Sequence, residues 1–189
     1  MNITARIIAI ALVALLVGCA TMTWTYDNQN YPTSTAAAEA ARQDMRRKVS
    51  AVPPLERPFA ESALIFTPSV PFSRQGVVLT GNATDEQARY VATVLYYGYY
   101  GMAEAIEQRN IFATTHIREF DQRSPLSNSD YQYIIWLRLD GPDSARWMIA
   151  PGQDIGAAVP LATSPISDAQ DRMIQFVQDV EDNVRSDVR

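Results

Sequence analysis

The chain has 189 residues with 16 basic and 21 acidic side chains, a net charge of −5, one cysteine and one histidine. This length suits one ordinary domain with a short extension. The acidic balance argues against nucleic-acid binding, which depends on Lys and Arg to neutralise phosphates. A single cysteine excludes a disulfide framework within the chain, so stability must come from a hydrophobic core.

Residues 1–18 are predicted to be a targeting segment that does not belong to the fold. Arg6 supplies a positive charge ahead of an uninterrupted apolar run at residues 7–17. That run is shorter than the roughly 20 residues that cross a bilayer. Its length and its charged flank are typical of a signal peptide.

The apolar run ends in Leu16, Val17, Gly18 and Cys19. This short pattern resembles the lipobox of bacterial lipoproteins. The resemblance implies cleavage after Gly18 and attachment of palmitate-type acyl chains to Cys19, so that these chains alone provide membrane attachment. Ala20 stands where many lipoproteins retained in the inner membrane carry aspartate, which favours the periplasmic side of the outer membrane. The alternative is an ordinary secretory signal with a chance cysteine.

Residues 19–59 are predicted to be a lipidated tether that contains one helix, the stalk helix. Residues 20–32 are polar and lack periodicity, which favours a loose connection. Trp24 and two nearby tyrosines suit a lipid interface, or alternatively dock on the domain. Ser34 or Thr35 can cap the stalk helix, which several prolines then stop. Its thin apolar stripe consists of Ala38, Ala41, Met45 and Val49.

Residues 60–189 are predicted to form a single domain. A continuous apolar run at residues 63–67 indicates a strand that is buried on both faces. A second short strand or an apolar loop is expected at residues 76–81. Two further strands are indicated by β-branched and aromatic residues at 111–120 and 131–140.

Two helices are expected in this domain. The longer one, at residues 84–110, begins with a capping box formed by Thr84 and Gln87. Its core face is predicted to consist of Ala88, Val91, Ala92, Leu95, Tyr99, Met102, Ala103 and Ile106. The C-terminal helix begins at a cap on Ser167, after a proline-rich loop at residues 151–166 that is expected to pack on the core. Its inward side is predicted to consist of Met173, Phe176, Val177, Val180 and Val184.

This order of elements predicts an α+β fold in which a small, mostly antiparallel sheet has the long helix and the C-terminal helix packed on one face. The long helix would form a crossover if the strands on either side of it are parallel neighbours.

The strand at residues 131–140 is expected to return through a tight turn. A two-residue turn pairs Asp140 with Asp143, and it places Trp136 opposite Trp147 on one face of the sheet. If that face is uncovered, the two indole rings can stack on a sugar. Trp136 and Trp147 are therefore a candidate glycan-stacking surface.

The long helix carries a second stripe opposite its core face, formed by Tyr90, Val94, Tyr97 and Gly101. Glycine in a helix interior costs up to about 1 kcal/mol relative to alanine, so Gly101 implies close packing or the approach of a partner. One interpretation is that the stalk helix or residues 151–166 cover the stripe. The other is a partner-binding face, because interface cores are aromatic and lightly charged.

The sequence contains no recognisable catalytic pattern. It has no nucleophile elbow, phosphate loop or dinucleotide fingerprint. His116 is the only histidine; it is expected to be a surface or hydrogen-bonded core residue, with a lone general base as the alternative. The available carboxylate pairs are Glu119 with Asp121, Asp140 with Asp143, and Asp168 with Asp171, all at strand ends, turns or helix starts. We therefore expect no enzyme, no metal site and no cofactor.

The element order over residues 60–189 resembles small envelope-assembly lipoproteins of the curli-secretion type and activators of peptidoglycan synthases, which share a strand–helix–strand–strand core. Together with Cys19 and the second stripe, the resemblance favours a non-enzymatic accessory component that binds a protein partner in a cell-envelope complex. Coarse topology carries over no functional residue. A periplasmic glycan- or lipid-binding module is the alternative.

Overall fold

The computed structural model describes residues 24–68, 84–120, 130–139, 144–165 and 173–187. The helices in these ranges are α1 (Ser34–Ser50), α2 (Asp85–Arg109) and α3 (Met173–Asp187), with a 3-10 turn at Ile155–Ala157. The strands are β1 (Trp24–Tyr26), β2 (Gln29–Tyr31), β3 (Ala60–Pro68), β4 (Phe112–Phe120), β5 (Tyr133–Leu139), β6 (Ser144–Pro151) and β7 (Val159–Pro165). The predicted α+β class is confirmed.

The main sheet has the strand order β4-β3-β5-β6-β7. The interior strand β3 pairs in parallel with both β4 and β5, whereas β5, β6 and β7 form an antiparallel meander. The sheet is therefore mixed rather than mostly antiparallel. Because α2 joins β3 to its parallel neighbour β4, the expected crossover is present. The strands β1 and β2 form a separate antiparallel hairpin.

Burial on both faces explains the apolar sequence of β3, an interior strand of the sheet. Ala63, Leu64 and Ile65 are consecutive, so they point to alternate faces of the sheet, and all three are buried. Burial on both faces confirms the prediction from the continuous apolar run.

Helices α2 and α3 share one hydrophobic core with one face of the sheet. This core includes Ile65 of β3, Ile135 of β5, Ile149 of β6, Tyr99, Met102 and Ile106 of α2, and Phe176, Val180 and Val184 of α3. The inward residues predicted for the C-terminal helix are all buried. Of the eight residues predicted for the core face of α2, six are buried, whereas Ala88 and Val91 near its start are half-buried. The 3.6-residue period therefore identified the inward side of the C-terminal helix and most of that of α2.

The ends of α2 have the predicted capping geometry. The Thr84 side chain accepts a hydrogen bond from the Gln87 amide at 3.2 Å, and the Gln87 side chain accepts one from the Thr84 amide at 2.7 Å. Asn110 ends the helix in the left-handed conformation, with φ of 61°. These caps satisfy backbone groups that the helix itself leaves unpaired.

Helix α1 is part of the folded unit, which corrects the sequence-based boundary at residue 60. It lies parallel to α2, because Ser34 Oγ donates to Glu86 Oε1 at the N-terminal ends and Pro53 O accepts from Arg109 Nη1 at the other ends. Met45 of α1 belongs to the main core. The helix therefore covers α2 and does not act as a free stalk.

The connector between α1 and β3 is bound to the C-terminal end of α2. The Leu55 amide donates to the Arg109 carbonyl at 2.8 Å, and the Asn110 side chain donates to the Leu55 carbonyl at 3.1 Å. The Arg109 Nε atom also lies 2.8 Å from the buried carboxylate of Glu181 on α3. These contacts hold α1, α2 and α3 together at one end of the domain.

The predicted loose tether at residues 20–32 is wrong for its described part. Asp27 and Asn28 have positive φ values of 47° and 59°, which a tight hairpin turn between β1 and β2 requires and which Asp and Asn tolerate. Trp24 at the start of this hairpin is only 7% exposed. Of the two possibilities for Trp24, the structure shows docking on the domain.

The predicted loop at residues 151–166 contains the edge strand β7. Proline cannot donate a ladder hydrogen bond, but an edge strand needs its amides on one side only, so Pro160 is compatible with β7. Leu161 packs into the core as expected, whereas Val159 is 42% exposed.

The register of β5 with β6 differs by one residue from the prediction. Trp136 pairs with Met148 and Leu137 with Trp147, whereas the prediction pairs Trp136 with Trp147. A slip of one residue moves a side chain to the other face. Trp147 is therefore buried under the helices while Trp136 lies half-buried on the opposite face, so they form no common stacking surface.

Several predicted features lie outside the described residues. They are the signal segment and Cys19, the possible strand at residues 76–81, the cap at Ser167, and Asp121, Asp140, Asp143, Asp168 and Asp171.

The two tryptophans should differ strongly in their contribution to stability. Trp147 is 2% exposed and packs on Phe176 and Tyr99, so Trp147→Ala should lower the free energy of unfolding by about 3–5 kcal/mol. Trp136→Ala, the matched control, should cost about 1 kcal/mol. Urea unfolding measures both values. Equal losses would contradict the register that separates the two side chains.

Candidate functional site

The predicted second stripe of α2 faces α1 and the β1–β2 hairpin. Gly101 is buried, whereas Tyr90, Val94 and Tyr97 are half-buried. At Gly101 the stripe is covered by Met45 of α1. The structure therefore brings the four residues to one side of α2, and one end of that side is closed by this same chain.

At Gly101 the backbone of α2 packs directly against Met45 of α1. A Cβ atom at this position would lie 2.1 Å from Met45 Cγ and 2.5 Å from Met45 Sδ. Such distances are well inside van der Waals contact, so any larger residue requires Met45 to move. Close packing of the buried Met45 side chain accounts for the glycine that helix propensity alone disfavours.

The hairpin is docked on α2 and α1 through two tyrosines. The Trp24 and Tyr90 rings meet edge-to-face with centroids 5.2 Å apart. Tyr90 Oη donates to the Thr25 carbonyl at 2.8 Å, and Tyr26 Oη donates to Asp44 Oδ2 at 3.0 Å. An aromatic contact and two hydrogen bonds fix the hairpin to the domain.

Asp44 is the charged anchor of this docking. Burial of the carboxyl opposes its ionisation, but hydrogen bonds from two basic neighbours and Tyr26 outweigh burial and hold the pKa of Asp44 below its usual value. The basic neighbours are Arg47, at 2.6 Å, and Lys48, at 3.1 Å. The carboxylate is therefore ionised at neutral pH and accepts the Tyr26 hydrogen bond in its stronger, charged form.

An open groove of about 520 Å³ lies between α1 and α2, on the N-terminal side of the Gly101 contact. We call it the α1–α2 groove. It is lined by Ser34, Thr35, Ala38 and Glu39 of α1 and by Glu86, Arg89, Tyr90, Thr93 and Tyr97 of α2. The half-buried Tyr90 and Tyr97 of the predicted stripe thus remain accessible within it.

The charged groups of the α1–α2 groove are largely paired within the protein. Glu39 forms an ion pair with Arg42 at 2.9 Å, and Glu86 accepts a hydrogen bond from Ser34 at 3.1 Å. A ligand therefore meets tyrosine rings, hydroxyls and carboxylates that already have partners. This chemistry suits recognition by packing and hydrogen bonding more than binding of a single ion.

The sequence identified two of the groove's tyrosines but missed the residues beside them. Glu86, Arg89 and Thr93 recur with Tyr90 and Tyr97 at three- and four-residue spacing, which places them along one side of a helix. That periodicity was available in the sequence. The contribution of α1 corresponds to one of the two interpretations of the stripe, in which the stalk helix or residues 151–166 cover it.

The other tyrosines of α2 do not line the α1–α2 groove. Tyr99 is buried in the core near Trp147. Tyr96 stacks on Tyr100 and donates a hydrogen bond to Glu119 of β4 at 3.2 Å. Burial, together with Glu119, raises the pKa of Tyr96 to about 12. Tyr96 is therefore a neutral hydrogen-bond donor at physiological pH.

His116 lies on the exposed side of β4. Its Nδ1 atom is hydrogen-bonded to the Tyr131 hydroxyl, and the two rings meet edge-to-face with centroids 5.4 Å apart. This contact gives the histidine a structural partner. It agrees with the prediction of a hydrogen-bonded histidine and lends no support to a lone general base.

Two further concavities are less suited to a ligand. One, of about 560 Å³, lies near the C-terminal ends of α1 and α2, where it contains Arg46 and Glu104. The other, of about 170 Å³, is an apolar depression beside Ile174, which is 54% exposed. The first has no aromatic wall, and the second holds little more than one side chain.

Among the described residues, no cluster of three or more His, Cys, Asp or Glu could hold a metal ion. None of the described helices is both long and apolar enough to cross a bilayer. Comparison of the chain with protein-family models, curated proteins and solved structures gives no significant match.

The contact between Gly101 and Met45 should behave as a coupled pair. Gly101→Ala gains up to about 1 kcal/mol of helix propensity, but overpacking against Met45 costs about 1–3 kcal/mol, so we expect a net loss of stability. Met45→Ala alone should cost about 2–5 kcal/mol. The double variant should lose less than the sum, with a coupling energy of about 0.5–3 kcal/mol in urea unfolding. Additive losses would show that the two helices do not touch here.

Asp44 should make the hairpin contact sensitive to acid. A carboxyl whose folded pKa is depressed contributes stability above its unfolded pKa of about 3.9, and this contribution is lost as the pH falls through the lower folded pKa. Asp44→Asn should therefore be less stable than the wild type at pH 7, and the difference should shrink at pH 3. Urea unfolding at both pH values measures it. A difference that is the same at both would contradict the role of the charge.

Proposed function

We propose that this protein is a lipid-anchored component of the cell envelope, held at the periplasmic side of the outer membrane through acylated Cys19. Its role is to bind a protein partner, as a non-enzymatic accessory or assembly component. The contact surface is the α1–α2 groove with Tyr90 and Tyr97 on its floor. The anchor follows from the lipobox resemblance, and the groove follows from the packing of the two helices.

The accessible tyrosines of the groove carry the proposal. Tyr90 and Tyr97 each present a large, rigid ring that loses little side-chain freedom on binding, and tyrosines are enriched at the energetic centres of interfaces. The hydroxyls of Ser34, Thr35 and Thr93 line the same groove and can hydrogen-bond a partner's backbone. Aromatic anchors surrounded by hydroxyls are typical of protein interfaces.

The alternative glycan- or lipid-binding role has less support. It depended on Trp136 and Trp147 forming one surface, and the strand register places them on opposite faces of the sheet. The α1–α2 groove is also too polar for an acyl chain, because Glu39, Glu86 and Arg89 line it. A protein partner is therefore the function that the geometry favours.

The groove can be tested by photo-crosslinking in the producing bacterium. A photoreactive amino acid at Thr35 or Arg89 should yield one adduct of the same mass, because both positions border the α1–α2 groove. The same amino acid at the exposed position Asp182 on α3 should not yield it. Tyr97→Ala should reduce the adduct at Arg89 about tenfold or more, since truncating an interface anchor costs about 2 kcal/mol or more.

Tyr100→Ala is the matched control for Tyr97→Ala. It removes the same side chain from the same helix at a half-buried position outside the groove, so the adduct should persist. A groove adduct that survives Tyr97→Ala, or an adduct that forms only at Asp182, would overturn the groove as the contact surface. Circular dichroism of each variant separates lost binding from lost folding.

A further inference from the structure

We infer that the β1–β2 hairpin end of the domain is held at the surface of the bilayer and contacts lipid headgroups there. This orientation rests on the proposed acylation of Cys19. It adds to that proposal the direction in which the domain faces and the surface that meets the lipid.

The first step is that the hairpin moves with the domain. Trp24 is buried against Tyr90, the Thr25 carbonyl accepts from Tyr90, and Tyr26 is bonded to Asp44. Trp24 therefore has a fixed position relative to the rest of the domain. Only the residues between Cys19 and Trp24 separate this point from the anchor.

The second step is a comparison of lengths. Five residue steps lead from Cys19 to Trp24, and a chain extends at most about 3.6 Å per residue, so their Cα atoms lie within about 18 Å of each other. Trp24 packs on Tyr90 near the start of α2, and Arg109 lies about 28 Å further along that helix, at about 1.5 Å per residue. The domain cannot turn its Arg109 end to the bilayer while the hairpin points away, because the connection is too short.

The third step is the chemistry of the hairpin surface. Its exposed side chains are Thr25, Asp27, Asn28, Gln29 and Asn30. Four of these are neutral and polar, so they can hydrogen-bond headgroup phosphates and esters without the cost of burying an unpaired charge. The fifth, Asp27, is a carboxylate, and it has to stay hydrated because headgroup phosphates carry the same sign of charge. Tyrosine and tryptophan are also enriched at this level of a membrane, and Tyr26 and Tyr31 are half-buried in the same hairpin. The hairpin has no cation, so the acyl chains rather than charge attraction hold it there.

The orientation can be measured with single cysteines on the purified, acylated protein. Because acylation consumes the thiol of the chain's single cysteine, a cysteine introduced at Gln29 or at Gln108 is the sole reactive thiol. Both positions are exposed, Gln29 in the hairpin and Gln108 in the last turn of α2. A fluorophore on each is compared in phosphatidylethanolamine–phosphatidylglycerol vesicles that contain lipids with a headgroup nitroxide quencher.

We expect a large loss of fluorescence from position 29 and little or none from position 108. A variant with a flexible spacer of about ten residues before Trp24 adds up to about 36 Å of reach, so its position 29 should lose much less fluorescence. Equal quenching at the two positions, stronger quenching at position 108, or no effect of the spacer would overturn the orientation.

Mass spectrometry of the same preparation separates this inference from the proposed anchor. Acylated Cys19 together with equal quenching overturns the orientation alone and leaves the anchor in place. A chain without acyl groups overturns both. Urea unfolding of the Gln29→Cys and Gln108→Cys variants establishes that the labels sit on the intact fold.

Discussion

The close approach of α1 to α2 at Gly101 is the constraint on which the other features of this structure depend. Without a Cβ atom at that position, Met45 can lie directly against the α2 backbone and enter the main core. Helix α1 thereby becomes a wall of the domain. Its Asp44 is then in place to receive Tyr26, and its N-terminal half stands opposite Tyr90 and Tyr97 to form the groove. One missing methyl group thus sets both the docking of the hairpin and the shape of the candidate site.

The C-terminal end of α2 is held by polar contacts instead of close packing. Arg109 donates to the Pro53 carbonyl and pairs with Glu181, which also pairs with Arg185 at 2.6 Å. A buried carboxylate is tolerated only when such partners compensate for its lost hydration. The Leu55 amide completes the set by donating to the Arg109 carbonyl. Helices α1 and α2 are therefore joined by the apolar contact at Gly101 and by the Ser34–Glu86 hydrogen bond at their N-terminal ends, and the α1–α2 groove lies between these two contacts.

Sequence patterns predicted the elements that carry a long apolar stripe or run, and they failed where the position of a single residue decides which face of the sheet a side chain occupies. The core side of α2 and the capping box at Thr84 followed from spacing and side-chain chemistry alone. The face of Trp147 did not, because a strand has a period of two and one residue of turn length reverses every side chain. The sequence left the docking of Trp24 as one of two alternatives, because three-residue strands are too short to show alternation. Thin stripes of alanine, as in α1, give a weak signal for burial even when one methionine such as Met45 reaches the core.

The docked hairpin has a consequence for the affinity that the proposed partner site needs. With Cys19 acylated as proposed, the short connection confines the domain to a thin layer above the bilayer. A partner anchored in the same membrane is then confined to the same thin layer, so it meets the groove at a higher effective concentration than a protein that diffuses through the whole compartment. A weak intrinsic affinity, supplied by Tyr90, Tyr97 and a few hydroxyls, is sufficient under those conditions. With the same weak affinity, proteins that diffuse freely would occupy only a small fraction of the grooves. Confinement to the membrane therefore favours partners that are anchored in it as well.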